Sequence, residues 1–64
     1  VIDVWKVAQA TLTEKELHAY TLRHRHRLSL RQIALALDLS VSSVRSRLEN
    51  CDRKMTRALT REAA

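Results

Sequence analysis

The chain contains no glycine, no proline and no phenylalanine, a single cysteine, Cys51, and only two aromatic residues, Trp5 and Tyr20. Without Gly or Pro the backbone lacks its two strongest punctuators, which favours helices joined by very short turns. A glycine-free chain of 64 residues offers little from which to build a catalytic pocket. Neither a Ser–His–acid set nor a carboxylate pair stands out, so the sequence reads as a non-enzyme. One cysteine permits no intramolecular disulfide and no Cys-based metal cage, which fits a reducing, cytoplasmic setting; on the apolar stripe described below, Cys51 reads as a small core residue. His18, His24 and His26 are spaced six and two residues apart, which does not bring pairs of them onto one helical face. No metal and no cofactor is therefore expected. Low-complexity segments, 20-residue periods and a signal-peptide pattern are all missing. The apolar runs are too short to span a bilayer, so no membrane partner is expected. The chain opens on Val1 without a methionine and reads as a domain excised from a longer protein.

What is present is a strongly cationic, moderately apolar body. Hydrophobic residues make up 45% of the chain, and 12 Lys and Arg against 7 Asp and Glu give a net charge of +5. A single domain of this size buries only about 60% of the surface its unfolded form exposes, so its core must be small. Its positive field points to nucleic acid, an acidic protein face or an anionic surface as partner. Arg dominates the cations, and Arg suits bidentate contacts to phosphate and guanine.

One local pattern recurs at Leu12, Leu28 and Leu39, in the strings LTEKEL, LSLRQI and LSVSSV. In each, Thr13, Ser29 or Ser40 can cap a new helix. The apolar residue before the cap can staple onto Leu17, Ile33 or Val44, five positions later. Glu16 and Gln32 stand where a side chain reaches back to complete a capping box; the third unit has Ser43 there. These starts predict helices over Ile2 to Ala10, Glu14 to about His26, Leu30 to Leu37 and Val41 to about Glu62. The expected fold is all-α, a bundle of about four helices in one domain over residues 1–64, with residues 1–11 an accessory helix and 12–62 the core.

A short third helix, a turn over Asp38 to Ser40 and a longer last helix have the layout of a helix-turn-helix. Ile33, Ala34 and Leu37 form one apolar stripe, and Val44, Leu48, Cys51 and Met55 another. Small Ala34 suits a close crossing of the two. With the second stripe inward, Ser42, Ser46, Asn50, Arg53 and Arg57 face outward, Arg45 lies on one flank, and Ser43 with Arg47 on the other. No acidic residue occurs in residues 41–48, the stretch a recognition helix would push into a major groove. Small serines let the backbone come close, and Arg45 and Arg47 can reach a base edge or a phosphate. Arg23, Arg25, Arg27 and Arg31 cluster where the second helix gives way to the third. They suit phosphate clamping, and Ser29 with the free N–H groups of the third helix can add a neutral contact.

The stretch from Leu12 to Met55 resembles region four of bacterial sigma factors and the related LuxR-type DNA-binding domains. The resemblance is carried by Leu12-Thr13 with Glu16, Leu22-Arg23, Ile33-Ala34, Leu37, Leu39-Ser40-Val41 and Val44-Arg45-Ser46-Arg47-Leu48. It implies that the helix from Val41 enters the major groove, that Val41, Ser42, Arg45 and Ser46 face bases, and that Arg23, Ser29, Arg31 and Ser43 meet phosphates. The chain departs from that pattern at Asp38, where a glycine usually sits, and its first helix with Trp5 lies outside the resemblance. The expected function is sequence-specific binding of double-stranded DNA by a transcription regulator, sigma-like or a phage or actinobacterial repressor. RNA polymerase or a second copy of the chain are further candidate partners. The alternatives are a DNA binder of the phage terminase small-subunit type and a helical interaction or dimerisation module built on Trp5 and the far end of the last helix.

Overall fold

Four helices follow one another: α1 (Val4–Thr11), α2 (Glu14–His24), α3 (Leu30–Leu37) and α4 (Val41–Ala63). The computed structural model describes residues 3–63, with side-chain surroundings as far as Arg61, and contains no strand among the described residues. The helix starts follow from the caps. Thr13 Oγ1 accepts from the Glu16 N–H at 3.3 Å while the Glu16 carboxylate accepts from the Thr13 N–H at 3.0 Å. Ser29 and Gln32 repeat the exchange at 3.1 and 2.8 Å. Each reciprocal pair satisfies two of the N–H groups that a helix start leaves free.

Two boundaries differ from the sequence reading. α1 begins at Val4, because Asp3 Oδ1 accepts from the N–H groups of Trp5 and Lys6 at 3.1 and 3.2 Å, a cap that the expected start at Ile2 overlooked; Ile2 itself lies outside the described residues. α2 stops at His24, about two residues early. There the chain must reverse to return Leu28 to the core. Arg27 takes a left-handed backbone (φ 56°), the Leu28 N–H donates to the Leu22 carbonyl at 3.1 Å, and Arg23 Nη1 donates to the Leu28 carbonyl at 2.9 Å. A run of alternating Arg and His hides that turn, because it contains neither Gly nor Pro.

The apolar side chains form two clusters with α4 running across both. Ala19, Ile33, Ala34, Val44 and Leu48 make one, joined by Leu22, Leu28, Leu37 and Leu39. Ala8, Leu12, Tyr20, Cys51 and Met55 make the other, against which Trp5, Leu17 and Leu59 pack. The stripe Val44, Leu48, Cys51, Met55 is thus the spine of the molecule, and each staple pair shares a cluster. Trp5 lies where a domain this small needs it, on the distal half of α4 beside Met55 and Leu59. It meets Tyr20 edge-on at 5.6 Å. Ile33 has no exposed surface, and truncating such a side chain costs about 2–5 kcal/mol, a large share of a small domain's stability.

Candidate nucleic-acid interface

The turn between α3 and α4 sets the angle at which α4 leaves the core. Asp38 is left-handed at φ 56°, ψ 47°, the Leu39 N–H donates to Ala34 O at 2.9 Å and the Asp38 N–H to Leu35 O at 3.4 Å. This is the pair of bonds that closes a helix through a left-handed residue. Leu39 then drops into the same cluster as Ala34 and Val44. Ser40 starts α4: its Oγ accepts from the Ser43 N–H at 3.1 Å and donates to Ser43 Oγ at 2.9 Å. Ser43 is too short to reach back to the Ser40 N–H, so this start has only half of the bonding found at α2 and α3.

With Val44 and Leu48 buried, Ser42, Ser43, Arg45 and Ser46 are exposed, Val41 is marginally so at 37%, and Arg47 is half-buried. No carboxylate lies in residues 41–48. The opening of α4 therefore presents small hydroxyls at its centre and a cation on each flank. At the α2–α3 junction Arg23, Arg25, Arg27, Ser29 and Arg31 are all exposed. They are not equivalent. Arg23 is tied to the Leu28 carbonyl, Ser29 Oγ to the Gln32 N–H, and the Arg25 guanidinium sits 5.4 Å over the Trp5 ring. A cation–π contact of that kind holds Arg25 beside the distal half of α4. Arg27 and Arg31 have no side-chain hydrogen bond among the described residues.

Between α4 and the first turn of α2 lies an open cleft of about 540 Å³ lined by Thr13, Lys15, Glu16, Ser42, Ser43, Ser46, Arg47 and Asn50. A shallower depression of about 250 Å³ beside it shares Lys15 and Arg47 and adds His18, Leu37 and Leu39. Lys15 was not singled out in the sequence. Its signal is faint: a lysine between Glu14 and Glu16 in a first turn, where the helix dipole favours acids. The wall is pinned by Lys54 Nζ, which meets Glu16 Oε1 at 2.8 Å. That ammonium, with the Thr13 N–H, holds the Glu16 carboxyl below its usual pKa against a partial desolvation. Underneath, the Cys51 thiol donates to the Glu16 carbonyl at 3.4 Å. Burial, with the charges of Glu16 and Asp52, pushes its pKa to about 11, so it stays a protonated core group. Burial also raises the Tyr20 phenol, with Asp52 adding to the effect. Among the described residues no group of three or more His, Cys, Asp or Glu is arranged to hold a metal ion, and no helix is long and apolar enough to cross a membrane.

The family model for sigma-70, region 4 matches residues 7–50. The chain belongs to that family. The match begins inside α1, so the first helix is not wholly outside the family pattern as the sequence reading had it, and it stops within α4. This is a DNA-binding family and not an enzyme family, and sigma region 4 domains can also contact RNA polymerase. No curated protein and no solved structure matches the chain.

Proposed function

We propose that this domain is the DNA-reading part of a transcription regulator, sigma-like or a repressor, and that the first two turns of α4 enter the major groove of double-stranded DNA. The observation that carries the reading is the exposed, carboxylate-free opening of α4, with Ser42 and Ser46 at its centre and Arg45 on a flank. A helix with small side chains there lets its backbone approach the base edges, and an Arg beside them can pair with a guanine. Val41 adds an apolar contact for a thymine methyl. Arg23, Arg27, Ser29, Arg31 and Ser43 serve as phosphate contacts that fix the register. Arg25 is left out of that set because its guanidinium covers Trp5. The whole chain acts as one unit in this reading, with α1 bracing the distal half of α4. RNA polymerase is a second partner proposed on the strength of the family. A docking role for Trp5 is disfavoured, since its ring is engaged by Tyr20, Arg25 and the core cluster.

Selection from random duplex DNA with the purified domain, followed by affinity measurements across a salt series, tests the proposal. Three or four charged phosphate contacts give a slope of log affinity on log salt of about −3 to −4. Arg45→Ala should cost roughly 1–3 kcal/mol on the selected site and flatten discrimination at one base pair, whereas Arg31→Ala should weaken all sequences alike. No enrichment, together with binding indifferent to salt, would refute it.

A further inference from the structure

We propose that Lys15 of α2 and Arg47 of α4 together seat a phosphate on the second DNA strand, across the groove from the strand held by Arg31; the proposal rests on the DNA-binding reading above. It adds a residue from a helix outside the helix-turn-helix, and it moves Arg47 from the base readers to the backbone contacts.

An α-helix is about 10–12 Å across with its side chains, and the major groove is about 12 Å wide. A helix filling that groove turns its two flanks toward the two phosphate strands. On one flank of α4 the cleft brings Ser43 and Arg47 against the first turn of α2, and Lys15 and Arg47 line both the cleft and the depression next to it. Arg47 is half-buried against this wall, turned from the central face that Ser42 and Ser46 present. Arg23, eight residues along α2 from Lys15, stands about 12 Å away at 1.5 Å per residue, where the chain leads into Ser29 and Arg31. α2 thus spans roughly one groove width with a cation near each end.

Charge accounting favours an anion in the cleft. The one carboxylate in its wall, Glu16, is taken by Lys54 at 2.8 Å and by the Thr13 N–H at 3.0 Å. Among the described residues neither Lys15 nor Arg47 has an ion-pair partner. Lys15 also stands at the positive end of the α2 dipole, where a cation costs stability; a residue kept at a cost there has a use elsewhere.

The test compares wild type with Lys15→Gln, Arg47→Gln and Lys6→Gln on the selected duplex and on a scrambled one, at 50 and 200 mM salt. Lys6 lies at the end of α1 remote from Thr13 and controls for net charge. Losing one phosphate contact lowers the salt slope by about 0.9. The affinity gap between wild type and either cleft variant should therefore shrink about 3.5-fold between 50 and 200 mM, equally on both duplexes, with Lys6→Gln unchanged. Lys15→Gln removes an unfavourable charge and should fold at least as stably as wild type, which thermal melting verifies. Wild-type affinity and slope in Lys15→Gln would overturn the proposal, as would a loss in Arg47→Gln confined to the selected duplex. Neither result touches the DNA-binding reading, which fails only if the wild type itself does not bind duplex DNA.

Discussion

Ser43→Glu should make the fold more stable and the DNA complex weaker. In α2 and α3 a Glu or Gln at the third helical position accepts from the N–H of its cap, at 3.0 and 2.8 Å. In α4 Ser43 instead accepts from the Ser40 hydroxyl at 2.9 Å. A glutamate would supply the missing reciprocal bond and place a negative charge at the positive end of a long helix, and it would stand four residues before Arg47, the favourable order for an acid–base pair. Together these give about 0.5–1 kcal/mol, which for a domain of this size raises Tm by about 2–8 °C. The same carboxylate would enter the cleft beside Lys15 and Arg47. Repulsion from a phosphate at about 4 Å is about 1 kcal/mol even in water, roughly fivefold in affinity, and neutralising Arg47 removes up to one further counterion-releasing contact. Ser43→Gln separates the two effects, because it supplies the bond without the charge; most of its stabilisation should remain and most of its affinity should survive. Differential scanning fluorimetry and fluorescence anisotropy on one duplex measure both quantities. A glutamate variant that melts higher and binds DNA as well as wild type would place the opening of α4 away from the duplex.

Asp38→Gly should be neutral or stabilising by up to about 1 kcal/mol, since a left-handed non-glycine residue costs about that much and glycine's greater freedom when unfolded offsets part of the gain; a clear loss in urea melts would mean that the Asp38 side chain makes an essential bond. Glu16→Gln keeps the capping bond, as Gln32 does, but loses the pair with Lys54, at a cost below about 1 kcal/mol at neutral pH because such surface pairs are weak. The Glu16 pKa is lowered on folding from 4.5, so its contribution is complete above that value and fades as pH falls through the folded one. The two proteins should converge in strongly acid solution, and a gap that persists there would refute the ion pair. The Cys51 thiol, fully buried and raised to about 11, should be alkylated only as fast as the domain globally unfolds, as a denaturant series of labelling rates will show; rapid labelling of the native protein would contradict its place in the core.

Much of this fold is legible in the sequence because its signals are local. The three caps with their staples mark the starts of α2, α3 and α4, and the spacing of Val44, Leu48, Cys51 and Met55 identifies the buried face of α4. The unusual backbone at Asp38 was legible from the place of that residue in the turn. Arg27 was not: its left-handed conformation is imposed from a distance by the return of Leu28 to the core. Lys15 escaped for the same reason, since its meaning depends on α2 crossing beside Arg47, a contact between residues 32 apart in the chain. Arg25 shows the reverse error. Its place among other arginines suggested phosphate, but α1 brings Trp5 beneath it, and no spacing within residues 23–31 could reveal that.

The central claim is that the opening of α4 faces the duplex, and amide chemical-shift mapping during a DNA titration at low salt tests it most directly. The account predicts the largest shifts at Ser42, Ser43, Arg45, Ser46 and Arg47, with Lys15 and Arg31 marking the two strands. Shifts centred instead on Trp5 and Leu59, or a spectrum unchanged by duplex DNA, would contradict it.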